Sequence, residues 1–392
     1  MKNRLKEFCI ITSRYPTKYD LSALVFVQKL VWAIADERIK CTVICPIPIN
    51  LKPKHICLPM KTIEKTYNDS IIDIYFPKYF SFGQSYIYGY NPVRITTNNF
   101  TKAVGRVINK MDRKPDVLYG HFITPAGIAA ARIGRVIDVP SFLSYGESSA
   151  WSISNFGLNE VKKELNNLSG IISVSQENTK RLLELDIAKK RNIGIFLNAI
   201  DDNLFYPHDK TESRKKLGIP IDKFIIAFVG HFIKRKGIDK LIKAVDELDN
   251  VYAIYAGKGT IYPRSIKTLY SALVKHENLP WFYSAADIFV LPTLNEGCCN
   301  AIIEAMASGL PIISSNASFN DDILDDTNSI RIDPKNIEEI KGAIKKLYND
   351  KEKLHKLRLG SLRKAKSLTI ENRAKNIIEF INEKSNLYYS FR

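Results

Sequence analysis

Long apolar runs are absent. The longest, such as FIIAFVG at 224–230, are strand-length, far short of the ~18–20 residues that cross a bilayer, so no membrane-spanning helix is expected. Cysteine is scarce, with six residues at 9, 41, 45, 57, 298 and 299. Cys41 and Cys45 stand close together in an apolar segment, but no second Cys/His pair follows at zinc spacing. No metal site is therefore expected, and the thiols read as small buried side chains in a reducing compartment. A Gly-x-x-x-x-Gly-Lys-Ser/Thr phosphate loop is also missing. The N-terminal MKNRLKEFCIITS turns from basic to apolar, but Arg14 interrupts the apolar run. It reads as a first strand rather than a targeting signal, which needs a longer apolar stretch.

Acidic charge is in deficit. Lys and Arg number 58 against 41 Asp and Glu, a net charge of +17. Residues 1–200 hold 28 basic and 16 acidic residues (+12), and residues 201–392 hold 30 and 25 (+5). A basic first half suits an anionic partner: a phospholipid surface, a lipid diphosphate or nucleic acid. An AT-rich genome that favours lysine codons is the plain alternative. No recognised nucleic-acid module accompanies the charge, so no nucleic-acid partner is expected.

What is present is alternation. Apolar, strand-length runs at 8–13, 40–46, 71–77, 116–121, 140–146, 170–176 and 193–199 are separated by helical patterns, among them 22–36, 98–111, 125–137 and 177–185. The series restarts with runs at 224–230, 251–257, 287–293 and 311–315, and ends in helical patterns at 335–348, 350–366 and 371–386. Such runs between helices indicate α/β domains with parallel sheets covered on both faces. At 392 residues the chain suits two domains. The expected division is 1–200 and 201–370, with the helix 371–392 packing back on the first domain. Polar residues 201–220 read as the connection between them plus a short helix. Ligands bind at the carboxyl ends of strands in such sheets, so the expected site is a cleft between two facing domains.

The most informative segment is LPTLNEGCCNAIIEAMASGLPIISS, 291–315. A strand ends at Pro292, a loop carries Glu296 and Gly297, and a helix runs from about Cys299 to Ser308. Free N–H groups at that helix start (Gly297, Cys298, Cys299, Asn300) favour an anion, and Gly297 permits close approach to the backbone. Carboxylates bind vicinal hydroxyls by accepting two hydrogen bonds. Glu296 and Glu304, eight residues apart, therefore suit two hydroxyl-bearing groups of one ligand. On spacing alone, a loop carboxylate and a solvated helix glutamate are the favoured account of the pair.

With its flanking residues the segment resembles the signature of glycosyltransferase family 4, in which two glutamates eight apart precede Ala-Met-Ala-x-Gly-x-Pro and an apolar strand. The resemblance spreads along most of the chain. AFVGHFIKRKGIDKLIKAV (227–245) resembles the strand and helix whose Lys-Gly pair, here Lys236-Gly237, binds the donor diphosphate. The family's usual arginine after the strand glycine, here Gly230, is replaced by His231. AGKGT (256–260) resembles the next Gly-x-Gly turn, and FYSAADIFVLPT (282–293) the approach to the signature. Between them the chain reads as short, with LVKHENLP (273–280) in place of the usual strand and base-binding loop. DVLYGHFITPAGIAA (116–130) resembles the strand whose terminal histidine, His121, reaches the donor sugar. The family's loop glycines are replaced by Ser22 and Ala23, and SYGES (144–148) carries Tyr145-Gly146-Glu147 where a second histidine is frequent. VSQENTKRLLEL (174–185) resembles a helix start, and Asn198, Asp201, Phe205 and Pro207 match an interdomain crossing.

The resemblance implies a GT-B enzyme of two Rossmann-like domains with a C-terminal helical tail. The first domain binds the acceptor and the second the nucleotide-sugar, which is a substrate and not a cofactor. It implies a retaining transfer, with Glu296, Lys236 and His121 catalytic and Glu304, Gly297, Cys298, Cys299, Asn300, His231 and Gly230 on the donor. Glu296 takes the sugar hydroxyls, Glu304 the ribose and Lys236 the diphosphate. No Asp-x-Asp pair, the metal–diphosphate site of the other large glycosyltransferase fold, is present, which agrees with a metal-independent reaction. The expected setting is the cytoplasm, at the inner face of the membrane, with a glycan or lipid-linked acceptor of cell-surface polysaccharide synthesis. Two rivals remain: a catalytically silent GT-B subunit, favoured by His231 and the absent loop glycines, and a GT-B sugar-nucleotide epimerase. The aromatic, basic stretch 74–94 reads either as a packed excursion or as an acceptor- or membrane-contacting loop.

Overall fold

The computed structural model of the chain describes residues 5–21, 23–83 and 91–390. Ser22 and residues 84–90 of the aromatic stretch lie outside these. The chain divides into two compact units, one formed by Met1–Leu197 with Glu371–Arg392 and the other by Asn198–Ile370. Among the described residues no helix is long and apolar enough to cross a membrane.

Unit 1 runs β1 (Glu7–Ile11), α1 (Val25–Asp36), β2 (Lys40–Ile44), β3 (Ile47–Pro48), β4 (Lys61–Lys65), β5 (Ile71–Tyr75), β6 (Lys78–Tyr79), α2 (Val93–Ile108), β7 (Val117–His121), α3 (Ile128–Ile137), β8 (Ser141–Tyr145), α4 (Trp151–Phe156), α5 (Leu158–Leu165), β9 (Gly170–Ser173), α6 (Gln176–Glu184) and β10 (Ile193–Ile195). Eight strands form one sheet in the order β10-β9-β8-β7-β1-β2-β5-β4, while β3 and β6 pair separately. Strands β1, β7 and β8 are buried at every position, as strands covered on both faces must be. That is why their sequences read as unbroken apolar runs.

The edge breaks that pattern. β4, antiparallel to β5, reads KTIEK, with Lys61, Ile63 and Lys65 exposed. It has no apolar run to signal a strand, and its lysines suit an edge that must not pair further. Helix α6 starts where the Val-Ser pattern places it, with the Ser175 Oγ accepting the Asn178 N–H at 3.1 Å. The final helix α13 (Ile370–Ser390) contributes residues 371–390 to this unit. Its Phe380 ring lies 5.4 Å from that of Phe196 and 6.3 Å from that of Phe142, and Asn382 Oδ1 accepts the Leu5 N–H at 3.2 Å.

Unit 2 runs α7 (Lys210–Leu217), β11 (Phe224–Val229), α8 (Ile238–Asp246), β12 (Val251–Ala256), β13 (Thr268–Ala272), α9 (Leu279–Ser284), β14 (Ile288–Leu291), α10 (Asn300–Ala307), β15 (Ile312–Ser315), β16 (Ser329–Ile332), α11 (Ile337–Asn349) and α12 (Lys351–Lys366). Its six strands are ordered β13-β12-β11-β14-β15-β16, all parallel. The order reverses between β11 and β14, and the carboxyl ends there form the switch point where open α/β sheets bind ligands.

One reading is corrected. The segment after AGKGT is not missing a strand: TLYSA forms β13 on the edge of the sheet, half-buried throughout, so it lacks the fully apolar run that marks its neighbours. Residues 201–220 lie in unit 2 and hold a short helix, α7. The Arg214 guanidinium, buried on α7, donates to Asp287 Oδ2 at 2.8 Å and to the carbonyls of Ala285, Ile221 and Lys223 at 2.9, 2.7 and 3.0 Å. A buried cation is tolerated when its donors are so matched.

Helix α12 packs on the loop before β16 through Gly360, where an added Cβ would stand 1.8 Å from the Thr327 carbonyl oxygen. Gly→Ala in an open helix stabilises by about 1 kcal/mol. Here the contact reverses the sign, and Gly360→Ala is expected to destabilise by about 1–3 kcal/mol, read as a lowered urea midpoint. An unchanged or raised midpoint would contradict this packing.

Candidate active site

The switch point of unit 2 is built from two chain segments. After β11, Gly230 (φ +153°) and His231 lead into a single tight turn over Lys234–Lys236. Gly237 then takes φ +70°, and a Cβ there would lie 1.9 Å from the Pro292 carbonyl oxygen. Only glycine fits, for both reasons. After β14, the second segment runs from Pro292 to Glu296, and its Leu294 N–H donates to the Arg235 carbonyl at 2.8 Å. The two segments are thus tied together, and Lys236 comes to lie beside Glu296.

Glu296 is 8% exposed. Its Oε1 accepts from the Lys236 ammonium and from the Thr293 hydroxyl at 2.9 Å, and Arg235 Nη1 lies 3.6 Å away. Gly297 is buried at the turn into α10. Cys299 occupies the N-cap position of α10 without a side-chain cap, so the helix start keeps N–H groups that favour an anion. The Cys299 thiol is pushed up to about 12 by burial and by the nearby Glu296 charge, which leaves it an unreactive neutral group. Cys298 faces another way: Asn198 donates its backbone N–H to Cys298 Sγ at 3.4 Å and its side-chain amide to the Cys298 carbonyl at 2.9 Å. Asn300 opens α10, its buried Oδ1 without a hydrogen-bond partner.

Glu304, on the second turn of α10 and 7% exposed, occupies a different setting. The Tyr283 hydroxyl donates to its Oε2 at 2.9 Å, and His276 Nε2 lies 3.2 Å from its Oε1. The Phe205 ring packs edge-on against His276 at 5.1 Å and Tyr283 at 6.3 Å. Asn198 and Phe205, read from the sequence as interdomain structure, therefore support the two ends of α10 within unit 2. The Tyr283 hydroxyl is held well above its ordinary pKa by burial and by the Glu304 charge, so it remains a donor. Two further lone pairs of the carboxylate remain for ligand hydroxyls.

His276, Tyr283 and Thr293 are given no role by the sequence alone, which offers Arg235 only as a cation near His231. His276 was hidden in the segment taken as too short. A signal was nonetheless present, because any buried carboxylate requires donors, and the stretch before the signature supplies few others. His231 is exposed at the end of β11. Its pKa is lowered by desolvation and then by the charges of Lys236, Arg235 and Lys258, which keeps it neutral at pH 7. It does not reproduce the positive charge of the arginine it replaces.

His121 lies in unit 1, at the carboxyl end of β7. It is 3% exposed, and among the described residues neither ring nitrogen has a hydrogen-bond partner. The rings of Phe122, Tyr119 and Phe26 surround it at 5.5–5.9 Å. Burial, and then the Arg373 charge, push it down to about 3. Glu147, just past the Tyr145-Gly146 pair that takes the place of the family's frequent His-Gly, is turned inward and accepts the Ser152 hydroxyl at 2.6 Å.

Two outcomes are expected. Glu304→Ala should weaken nucleotide-sugar binding at least about tenfold, because two hydroxyl contacts to a charged group are lost, while the thermal midpoint shows a folded protein. Unchanged affinity by calorimetry would sink this role. His121 should make the protein acid-sensitive: its folded pKa lies below the unfolded value of 6.5, so stability is fully present above 6.5 and is lost as pH falls toward 3. Between pH 6.5 and 5 the loss is about 2 kcal/mol, and His121→Phe should be less acid-sensitive by that amount in urea titrations.

Known proteins resemble this chain in sequence and in fold. Residues 209–360 match the family model described as Glycosyl transferases group 1. A Bacillus subtilis protein assigned as a teichuronic acid biosynthesis glycosyltransferase, TuaC, is 27% identical over 353 residues, 85% of this chain and 87% of that one. Sucrose-phosphate synthase from Thermosynechococcus elongatus superposes with a TM-score of 0.75 at 17% identity, covering 96% of this chain and 98% of that one. Anabaena HepE in complex with UDP-glucose superposes with a TM-score of 0.71 at 14% identity, covering 97% and 100%. Residues 209–360 thus form a glycosyl transferases group 1 domain, and the chain is a glycosyltransferase of the GT-B fold.

Proposed function

We propose that the enzyme is a retaining, metal-independent hexosyltransferase that uses a nucleotide-sugar and a glycan or lipid-linked acceptor in cell-surface polysaccharide synthesis. The observation that carries this reading is the Lys236–Glu296 pair, with Arg235 beside it, at the switch point of the unit 2 sheet. Lys236 and Arg235 neutralise the donor diphosphate together with the N–H groups that open α10. Arg235 takes the part that His231, neutral at pH 7, does not. Glu296 holds sugar hydroxyls, and Glu304, oriented by Tyr283 and His276, holds the ribose. The diphosphate departs and its own oxygen accepts the acceptor proton on the same face, so that the side chains position the reactants and stabilise charge. Unit 1 takes the acceptor, with His121 lending a neutral imidazole near the sugar. The TuaC likeness supports a polysaccharide acceptor, and the HepE complex a uridine diphosphate donor. The proposed setting is the cytoplasmic face of the membrane.

A thermal-shift screen of UDP-, GDP- and ADP-sugars tests donor use, since a ligand present at 100 times its Kd stabilises by about 2.7 kcal/mol. One class is expected to raise the melting temperature, and turnover of that donor should persist in EDTA and yield the anomer of the donor. Loss of turnover on chelation, restored by Mn²⁺ or Mg²⁺, would overturn metal independence. An inverted product would overturn retention. A chain that shifts with no donor and turns none over is the silent subunit instead.

A further inference from the structure

Unit 1 carries a second feature that sugar transfer does not explain. Strands β1, β2 and β5 are parallel neighbours, so the loops that leave their carboxyl ends emerge at one edge of the sheet. These loops are tied to one another. Strands β3 and β6 pair Ile47 with Lys78 and Pro48 with Tyr79. Asn50 Oδ1 accepts the Ser81 N–H at 3.0 Å, the Lys78 ammonium donates to the Leu58 carbonyl at 2.9 Å, and the Tyr19 and His55 rings meet at 5.2 Å.

On this tied group several large apolar side chains face solvent: Leu21 is 71% exposed, Phe80 58%, Leu51 56%, Phe82 51% and Ile56 46%. The packing needs of the aromatic stretch are already met by Phe76, which is buried, and by Tyr79, whose ring meets Phe100 at 5.6 Å. Phe80 and Phe82 are held outward on a fixed backbone, because Asn99 donates to the Phe80 carbonyl at 2.9 Å and the Phe82 N–H donates to Thr96 Oγ1 at 3.0 Å.

The charge around these side chains is predominantly positive. Lys18 and Lys54 are exposed and Lys52 is half-buried. No aspartate or glutamate occurs in residues 38–63 or 74–111. The acidic residue of the first loop, Asp20, is bonded to Arg14 at 2.8 Å. Exposed apolar patches mark interaction sites. Aromatic and aliphatic side chains among lysines, without carboxylates, match the boundary between anionic headgroups and acyl chains. A protein partner with an apolar face alone would leave the lysines without counter-charge.

We propose that unit 1 docks on an anionic lipid bilayer through the loops after β1, β2 and β5, with Leu51, Ile56, Phe80 and Phe82 entering the interface and Lys18, Lys52 and Lys54 meeting headgroups. The surface gives the proposed lipid-linked acceptor a location and rests on that reading for its purpose, but its test does not depend on turnover. The full chain is sedimented with vesicles of phosphatidylcholine alone and of phosphatidylcholine with phosphatidylglycerol, at low and high salt. The wild type should partition onto the phosphatidylglycerol vesicles only, and less at high salt. Lys52→Gln with Lys54→Gln should weaken this about 25-fold, a factor of about five for each lysine at an anionic surface. Phe80→Ser with Phe82→Ser should remove the binding that survives high salt. Both variants should keep the wild-type melting temperature and the same donor hydrolysis without vesicles, which separates docking from catalysis. Equal partitioning of wild type and variants, or none that depends on phosphatidylglycerol, overturns the proposal. Self-association through this face, seen by velocity sedimentation without lipid and abolished by the phenylalanine variant, assigns it to a second copy and overturns it as well.

Discussion

The passage of Gly237 across the Pro292 carbonyl governs the geometry of the switch point in unit 2. Strands β11 and β14 are neighbours, but neighbouring strands alone do not bring their following loops into contact. Contact comes from a left-handed residue without a side chain, pressed on the carbonyl at the end of β14. The residue before it is thereby delivered to Glu296, and the Leu294 N–H, donating to Arg235, closes the arrangement from the other side. Lysine and glutamate can meet on any surface. Here both are largely buried, so each depends on the other for charge balance, and their shared position is set by backbone geometry rather than by side-chain choice.

Glu296 and Glu304 show how one residue type is prepared for different tasks. Glu296 is surrounded by cations and a hydroxyl, which suits a place where negative charge gathers on a leaving group. Glu304, on a helix, is held by a tyrosine and a histidine, which suits recognition of neutral hydroxyls. The buried imidazole of His121 is a third case: stripped of partners and kept neutral by burial, it can accept or donate without adding charge.

Central strands were legible because burial on both faces writes an unbroken apolar run, as in FIIAFVG and DVLYGH. Two edge strands were not: KTIEK and TLYSA are strands by pairing with a neighbour, and solvent on one side lets them carry polar residues. The paired glutamates, Lys236 and the Gly237 position could be read from local spacing and resemblance. His276 and Tyr283 could not, since their tie to Glu304 spans 28 and 21 residues and is made only once α9 and α10 fold together. Residues 198–207, read by resemblance as an interdomain crossing, follow directly on the boundary between the units, and the contact of Phe205 with two aromatic rings is a further feature that local spacing does not show.

Unit 1 is discontinuous along the chain, whereas unit 2 is not. Unit 2 begins and ends at one place, where Ile200 exchanges backbone hydrogen bonds with Leu368 and Ile370 at 2.9 and 2.8 Å. During synthesis unit 2 therefore has all its strands before unit 1 has its last helix. The ring of Phe380, seated against Phe142 and Phe196, arrives after some 170 residues of unit 2 have been made. Domains fold as units, so the second unit can mature on the ribosome while the first still waits for residues 371–390 to seal its core. The order of assembly thus runs opposite to the order of translation, and the part that is translated first is the last to be finished.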